Sequence, residues 1–226
     1  MGSTDGPGAY DEYDRSELDR SGQAEAFDAI GDRYDDAFPH KEGQLIAGAW
    51  LAKQLPAGSR VLDLGCGTGL PTARQLVDAG HHVVGTDLSP VMLELCHRNV
   101  PEAEFHRVDI ADMERRELGP FDGVAAFFSL LMLPQVEIPY ALRMLHGQLR
   151  PGAPIALGMV EADVNDFSIP FLGNTIRVSG YLRDDLRRIV LDAGFEIAGE
   201  ESYAFAPAST EVPPEIQLFL HCRRRP

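Results

Sequence analysis

Lysine is nearly missing from this chain of 226 residues: Lys41 and Lys53 are the only two. Chemistry through a lysine Schiff base, which needs a desolvated amine, therefore has almost no candidates. Cysteine is scarce and odd in number, at Cys66, Cys96 and Cys222. An odd count argues against a disulfide framework, and no pair has the spacing of zinc ligands. No apolar run is long enough to span a bilayer, so no membrane partner is expected. The N-terminus is acidic, without the basic-then-apolar order of a secretory signal. Gly6 stands where a myristoylation signal needs Ser or Thr. A cytoplasmic location is the resulting expectation. Positive charge is also short, with a formal net charge of -15. Nucleic acid would be repelled over most of such a surface. The one basic cluster, Arg223-Arg224-Arg225, reads as a solvated end. The charge balance points to a small-molecule partner and sets no oligomeric state.

What is present is an ordinary globular composition, 44% hydrophobic and 24% charged, at a length suited to one domain. Residues 1–23 are rich in Gly, Asp, Ser and Glu without an apolar period and read as a disordered or loosely attached acidic tail. Residues 24–56 carry two apolar stripes at helical spacing, Phe27, Ile30, Tyr34 and Phe38, then Leu45, Ile46, Ala49 and Trp50. They predict an N-terminal helical cap, stopped by Pro56-Ala57-Gly58. From residue 57 to 226, short apolar runs alternate with amphipathic stretches. That alternation predicts a mostly parallel sheet with helices on both faces. Ser89-Pro90 reads as a helix start. Residues 161–181 break the alternation and read as an insertion.

The most informative run is Val61-Leu62-Asp63-Leu64-Gly65-Cys66-Gly67-Thr68-Gly69-Leu70. A buried strand leads into a turn almost free of side chains, and a helix-like stretch follows. Such a turn lets a ligand lie against bare backbone. Its glycine spacing is not that of a dinucleotide fingerprint, because Leu70 stands where the third glycine belongs. It is not a phosphate loop either, since no lysine follows. Asp87 closes the next strand about twenty residues on, where a carboxylate accepts hydrogen bonds from ribose hydroxyls. Val108-Asp109-Ile110-Ala111-Asp112 follows the third strand, and Phe121–Leu130 contains a continuous apolar strand.

Taken together, these four segments resemble the class I S-adenosylmethionine-dependent methyltransferases, over about residues 55–222 and nearest the small-molecule and ubiquinone-biosynthesis-like branch. The resemblance implies a single Rossmann-like domain with a seven-stranded sheet, its last strand antiparallel beside the fifth. It implies S-adenosyl-L-methionine as cofactor, S-adenosyl-L-homocysteine as product, and no metal. It places Asp63, Gly65, Cys66, Gly67, Gly69, Asp87 and Leu88 against the cofactor. Asp109 (or Asp112) and Ile110 fall at its adenine, Phe128 and Ser129 at its methionine part. The segment from Tyr34 to Lys41 is implied to fold over it, with Tyr34 in contact. Phe38, Leu130, Phe167, Phe171 and Arg177 are the acceptor-side candidates, with 161–181 as lid.

In-line attack on a sulfonium methyl depends mainly on orientation, so a catalytic residue need not exist. If a base serves, His40, Tyr34 and Glu161 are the candidates. His40 reads equally as an exposed histidine at a helix start. Two alternatives stay open: the same fold and cofactor serving a cyclisation or decarboxylation, and a non-catalytic cofactor-binding module.

Overall fold

Three helices precede the first strand in the computed structural model, which describes residues 20–206 and 214–226. They are α1 (Ser21–Ile30), α2 (Arg33–Ala37) and α3 (Glu42–Lys53). The first apolar stripe is thus split in two. Gly31, at φ +54°, ends α1 in a conformation that side chains disfavour, and its N–H returns to Phe27. Residues 20–23, placed in the tail by composition, are structured: Arg20 is pinned to Asp109 at 2.8 Å and to Glu137, and Ser21 opens α1. Residues 1–19 lie outside the described residues.

Strand and helix then alternate: β1 (Arg60–Leu64), α4 (Thr72–Asp78), β2 (His82–Asp87), α5 (Pro90–Asn99), β3 (Glu104–Arg107), β4 (Gly123–Phe127), α6 (Ile138–Gln148) and β5 (Pro154–Val160). Ser89 caps α5, its hydroxyl accepting the Met92 N–H at 3.0 Å. The insertion is a separate antiparallel hairpin, β6 (Val164–Phe171) and β7 (Asn174–Gly180). The chain closes with α7 (Arg183–Asp192), β8 (Phe195–Phe205) and β9 (Glu215–Arg224).

The main sheet has seven strands in the order β3-β2-β1-β4-β5-β9-β8. β1 to β5 are parallel, while β9 pairs antiparallel with β5 and β8 antiparallel with β9. The expected antiparallel last strand beside the fifth is therefore present. Alternation at period two divides each central strand between two cores. Leu62, Leu64, Val124, Ile155 and Leu157 face α6 and α7. Val61, Ala125, Ala156 and Phe219 face α3 and α4. Both faces are covered, so these strands read as continuous apolar runs. Strand order reverses between β1 and β4, and the loops after their carboxyl ends open into one crevice, the ordinary ligand position in such sheets.

A third cluster sits above that crevice. Ala26, Ile30 and Ala37 from the leading helices pack with Phe171, Leu172 and Ile176 of the hairpin. Gln23 ties the two together, donating to the Arg177 carbonyl at 2.6 Å and accepting the Arg177 N–H at 2.8 Å. Cap and insertion, far apart in the chain, form one roof. No helix among the described residues is long and apolar enough to cross a membrane.

Candidate active site

Under the roof lies a cavity of about 410 Å³. Its floor is the glycine loop. Gly65 bends at φ +69° and Gly67 at φ +55°, a region in which L side chains are strained. A Cβ on Gly65 would overlap the Ser129 side chain, whereas one on Gly67 would point into open space. Gly65 is thus demanded by the neighbouring chain, and Gly67 leaves its backbone bare to a ligand. Gly69, at φ +81°, packs instead toward Val100 and Cys96.

Asp87 forms the adjoining wall. Its Oδ2 accepts the Gly67 N–H and its Oδ1 the Ser89 N–H, each at 2.9 Å. One carboxylate therefore holds the loop after β1 against the end of β2. Burial raises this carboxyl to about 6 even though the N–H groups of Ser89, Gly67 and Leu88 pull it down. Asp63 lies behind the loop and does not line the cavity; it is 2% exposed. Burial first and the Asp87 charge second raise it, against the Ala73 N–H, to about 7. Its Oδ2 has no hydrogen-bond partner among the described residues. The Cys66 thiol is likewise pushed well above its ordinary value by burial and by Cys96, whose sulfur lies 3.4 Å away. It is packing within the loop, not a nucleophile.

The third strand's loop supplies Asp109 and Ile110 to the cavity. Asp109 Oδ1 accepts from both Arg20 and the Ala111 N–H at 2.8 Å, so any ligand there shares that carboxylate with an arginine. Past β4, Phe128 takes φ +58°, an outlier for a bulky residue and the kind of strain found at functional sites. Ser129 follows it into the cavity wall with its hydroxyl buried and unpartnered. Leu88, Tyr34, Phe38, His40, Glu161 and Phe171 also line the space.

Several expected residues lie elsewhere. Leu130 belongs to the main core, because the turn after β4 coils into a short 3-10 helix and points it inward. Phe167 is 58% exposed and does not line the cavity. Arg177 faces outward, held by Asp166 at 2.7 Å and Ser168 at 3.1 Å. Hairpin alternation turns Arg177 away from Ile176 and Val178, which line the cavity with Ile169 and Phe171. Phe167 pairs with Val178 and shares the parity of Ile169 and Phe171, so its exposure does not follow from alternation. No local pattern in the sequence marks Arg20, Phe205, Glu215 or Gln217, yet all of them line the cavity. They come from the chain's two ends and meet only through the fold.

The methyltransferase domain family matches residues 61–152. A magnesium-protoporphyrin O-methyltransferase of Rhodobacter capsulatus is 37% identical over 113 residues, 46% of this chain and 49% of that protein. The match thus spans about half the length of that relative. An uncharacterized methyltransferase of Synechocystis sp. is 31% identical over 153 residues, 65% of this chain and 71% of that protein. The chain belongs to the class I S-adenosylmethionine-dependent methyltransferases. A solved structure of the Burkholderia thailandensis 1,6-didemethyltoxoflavin-N1-methyltransferase, with bound 1,6-didemethyltoxoflavin and S-adenosylhomocysteine, has the same fold. It superposes with a TM-score of 0.69 at 20% identity, covering 91% of this chain and 88% of that one.

The methyltransferase cofactor fits what this cavity offers. The open backbone over Gly67, the buried carboxylate beside it and the unpartnered Ser129 hydroxyl are polar groups awaiting a polar occupant. Two glycine variants separate fit from strain. In Gly65→Ala, left-handed strain of about 1–2 kcal/mol adds to an overlap costing about 1–3 kcal/mol. Denaturant unfolding is expected to show the sum, and calorimetry a loss of S-adenosylhomocysteine binding. Gly67→Ala is expected to keep most of its stability, bearing only the strain, and still to bind poorly. Equal behaviour of the two variants would remove the distinction.

Proposed function

We propose that this protein methylates a small organic acceptor. The observation that carries the reading is the meeting of the Gly67 N–H with the Asp87 carboxylate on the cavity wall, at the point where strand order reverses. When bound, S-adenosylmethionine supplies an electrophilic methyl on its sulfonium. The loop from Gly65 to Thr68 offers bare backbone to it. Asp87 accepts the ribose hydroxyls with lone pairs left over from its two backbone contacts. Leu88 and Ile110 flank the adenine, and Asp109 accepts its amino group while keeping Arg20. Phe128 and Ser129 border the methionine part, and Tyr34 closes over it.

The chain's own contribution is orientation and dryness. Fixing an acceptor in line with a methyl accounts for about 7–11 kcal/mol of such a barrier. The roof of α1, α2 and the β6–β7 hairpin keeps water from competing. Of the three proton-accepting candidates, Glu161 is held by Arg183 at 3.0 Å, which lowers its carboxyl below the usual range and makes it a weak base. Tyr34 is pushed up by burial and then by Asp35, Glu215 and Asp87, so it keeps its proton. His40 lies at the cavity rim, 74% exposed at its side chain, with Nδ1 3.5 Å from a Glu42 carboxylate oxygen, and stays the third candidate.

The test is incubation with methyl-labelled S-adenosylmethionine and a panel of small phenols, heterocyclic amines and carbon acids. Acceptor-dependent release of S-adenosylhomocysteine, with equal label in a methylated product, is the expected result. Tight S-adenosylhomocysteine binding with no labelled product from any acceptor would overturn it and favour a non-methylating reaction on the same cofactor.

A further inference from the structure

The acceptor half of the cavity is walled by rings. Phe38 stacks on Phe171 at 5.8 Å and on Phe205 at 5.9 Å, and Tyr34 packs on Phe38 at 5.0 Å between ring centroids. Such a wall suits a flat apolar body. The charges around it are unevenly matched. Lys41 is committed to Asp35 at 2.5 Å and to the Leu70 carbonyl at 3.1 Å. Arg20 is committed to Asp109 and Glu137. Glu161 has Arg183. Glu215 makes no ion pair with a cation among the described residues; the Gln217 amide donates to its Oε1 at 2.8 Å, and the protonated Tyr34 phenol is close enough to feel its charge.

Glu215 reaches this place through topology. β9 runs antiparallel to β5, with Gln217 opposite Val160 and the Ile216 carbonyl accepting the Glu161 N–H. Its first residue therefore lies beyond the carboxyl end of β5, on the ligand side of the sheet. Glu215 pairs across strands with Phe205 and lines the cavity with it. Burial raises its carboxyl above the ordinary value, with the Gln217 contact opposing. This half-buried, acceptor-only group beside a ring wall has a neutral amide donor and no cation among the described residues, and a partly desolvated charge without an opposite charge is costly.

Resting on the methyltransferase reading, we infer that the acceptor is a small planar molecule carrying no negative charge, which presents an O–H or N–H donor to Glu215 while its ring lies against Phe38, Phe171 and Phe205. A carboxylate or phosphate on the acceptor would meet Glu215 with every nearby cation already paired. One cavity serves cofactor and acceptor, which keeps the acceptor to about one or two rings.

The test uses two probes of equal shape, 2-naphthol and 2-naphthoate, titrated by calorimetry into the full chain saturated with S-adenosylhomocysteine. 2-Naphthol is expected to bind at least tenfold more tightly than 2-naphthoate. In Glu215→Gln the naphthol weakens, the naphthoate strengthens, and the ratio falls below threefold. The inference is overturned if the wild-type protein binds 2-naphthoate as well as 2-naphthol, or binds neither, or if the ratio survives in the variant. The wild-type comparison needs no variant and so stands if Glu215→Gln misfolds. S-adenosylhomocysteine binding without probe discrimination sinks this inference alone. Failure to bind S-adenosylhomocysteine sinks the methyltransferase reading and this inference together.

Discussion

Asp87→Ala is expected to weaken S-adenosylhomocysteine binding by about a hundredfold or more. Hydrogen bonds to a charged group contribute about 1.5–3 kcal/mol each, and two ribose hydroxyls share this carboxylate in the proposed pose. The variant also frees the Gly67 and Ser89 N–H groups, so the glycine loop loses its anchor to β2. Wild-type affinity should depend on pH in a way that identifies the group. The free protein's Asp87 lies at about 6, and hydroxyl donors favour its ionised form. Binding should therefore be tight at pH 7.5 and about tenfold weaker at pH 5, where roughly nine carboxyls in ten hold a proton. Calorimetry across that range, with Asp87→Asn beside the wild type, checks both statements. An Asp87→Ala affinity equal to wild type would detach the ribose from this residue. A flat profile would mean that Asp87 is already ionised over the whole range.

The second large effect concerns stability and falls on Asp63. Its carboxyl is raised from 3.8 to about 7 by burial first and by the Asp87 charge second. An acid raised in the folded state holds its proton more tightly there than in the unfolded chain. Its contribution is thus most favourable below pH about 4 and is progressively lost as pH rises through about 7. Each unit corresponds to about 1.4 kcal/mol, so a buried ionised Asp63 costs the free protein about 2–4 kcal/mol at pH 8. Asp63→Asn keeps the shape and discards the charge. Its Tm at pH 8 should exceed that of the wild type by about 4–16 °C, at about 2–4 °C per kcal/mol for a chain this long. At pH 4 the two should nearly coincide. A variant destabilised equally at both values would show that the carboxylate's hydrogen bond, and not its buried charge, governs this position.

The placement of Asp63 and Asp87 also explains why the pair was legible in the chain. Both end parallel strands, and a strand's carboxyl end has a fixed relation to the crevice at the switch point. The glycines between them carry backbone information directly. Gly65 is at φ +69° with Ser129 pressed against its Cα, a place that admits no other residue without strain. Local sequence is informative where a backbone angle or a strand end imposes the requirement. Ser89 is a further case, because an N-cap hydroxyl before Pro90 acts within four residues.

The roof and the acceptor wall are of the opposite kind. Phe167 and Phe171 carry the same residue type four positions apart, yet one is exposed and the other lines the cavity. Hairpin register does not decide between them, since pairing is unbroken from Phe167 to Phe171; Phe171 is covered because Phe27, Tyr34 and Phe38 of the cap pack against it. Leu130 follows a strained Phe128, and the short 3-10 helix turns it into the core. Glu161 is acidic and at a strand end like Asp87, but α7 brings Arg183 against it, whereas Asp87 meets backbone N–H groups.

By itself the sequence determined the alternating sheet, the glycine cradle, the carboxylate one strand over and the family, since each of these rests on periodicity or backbone angles acting over a few residues. Only the tertiary structure decided which ring faces inward, which acid is neutralised and that Glu215 stands without a cation among the described residues. Those outcomes depend on the two chain ends and the inserted hairpin meeting above the sheet, and contact between segments more than a hundred residues apart leaves no mark in the spacing of either.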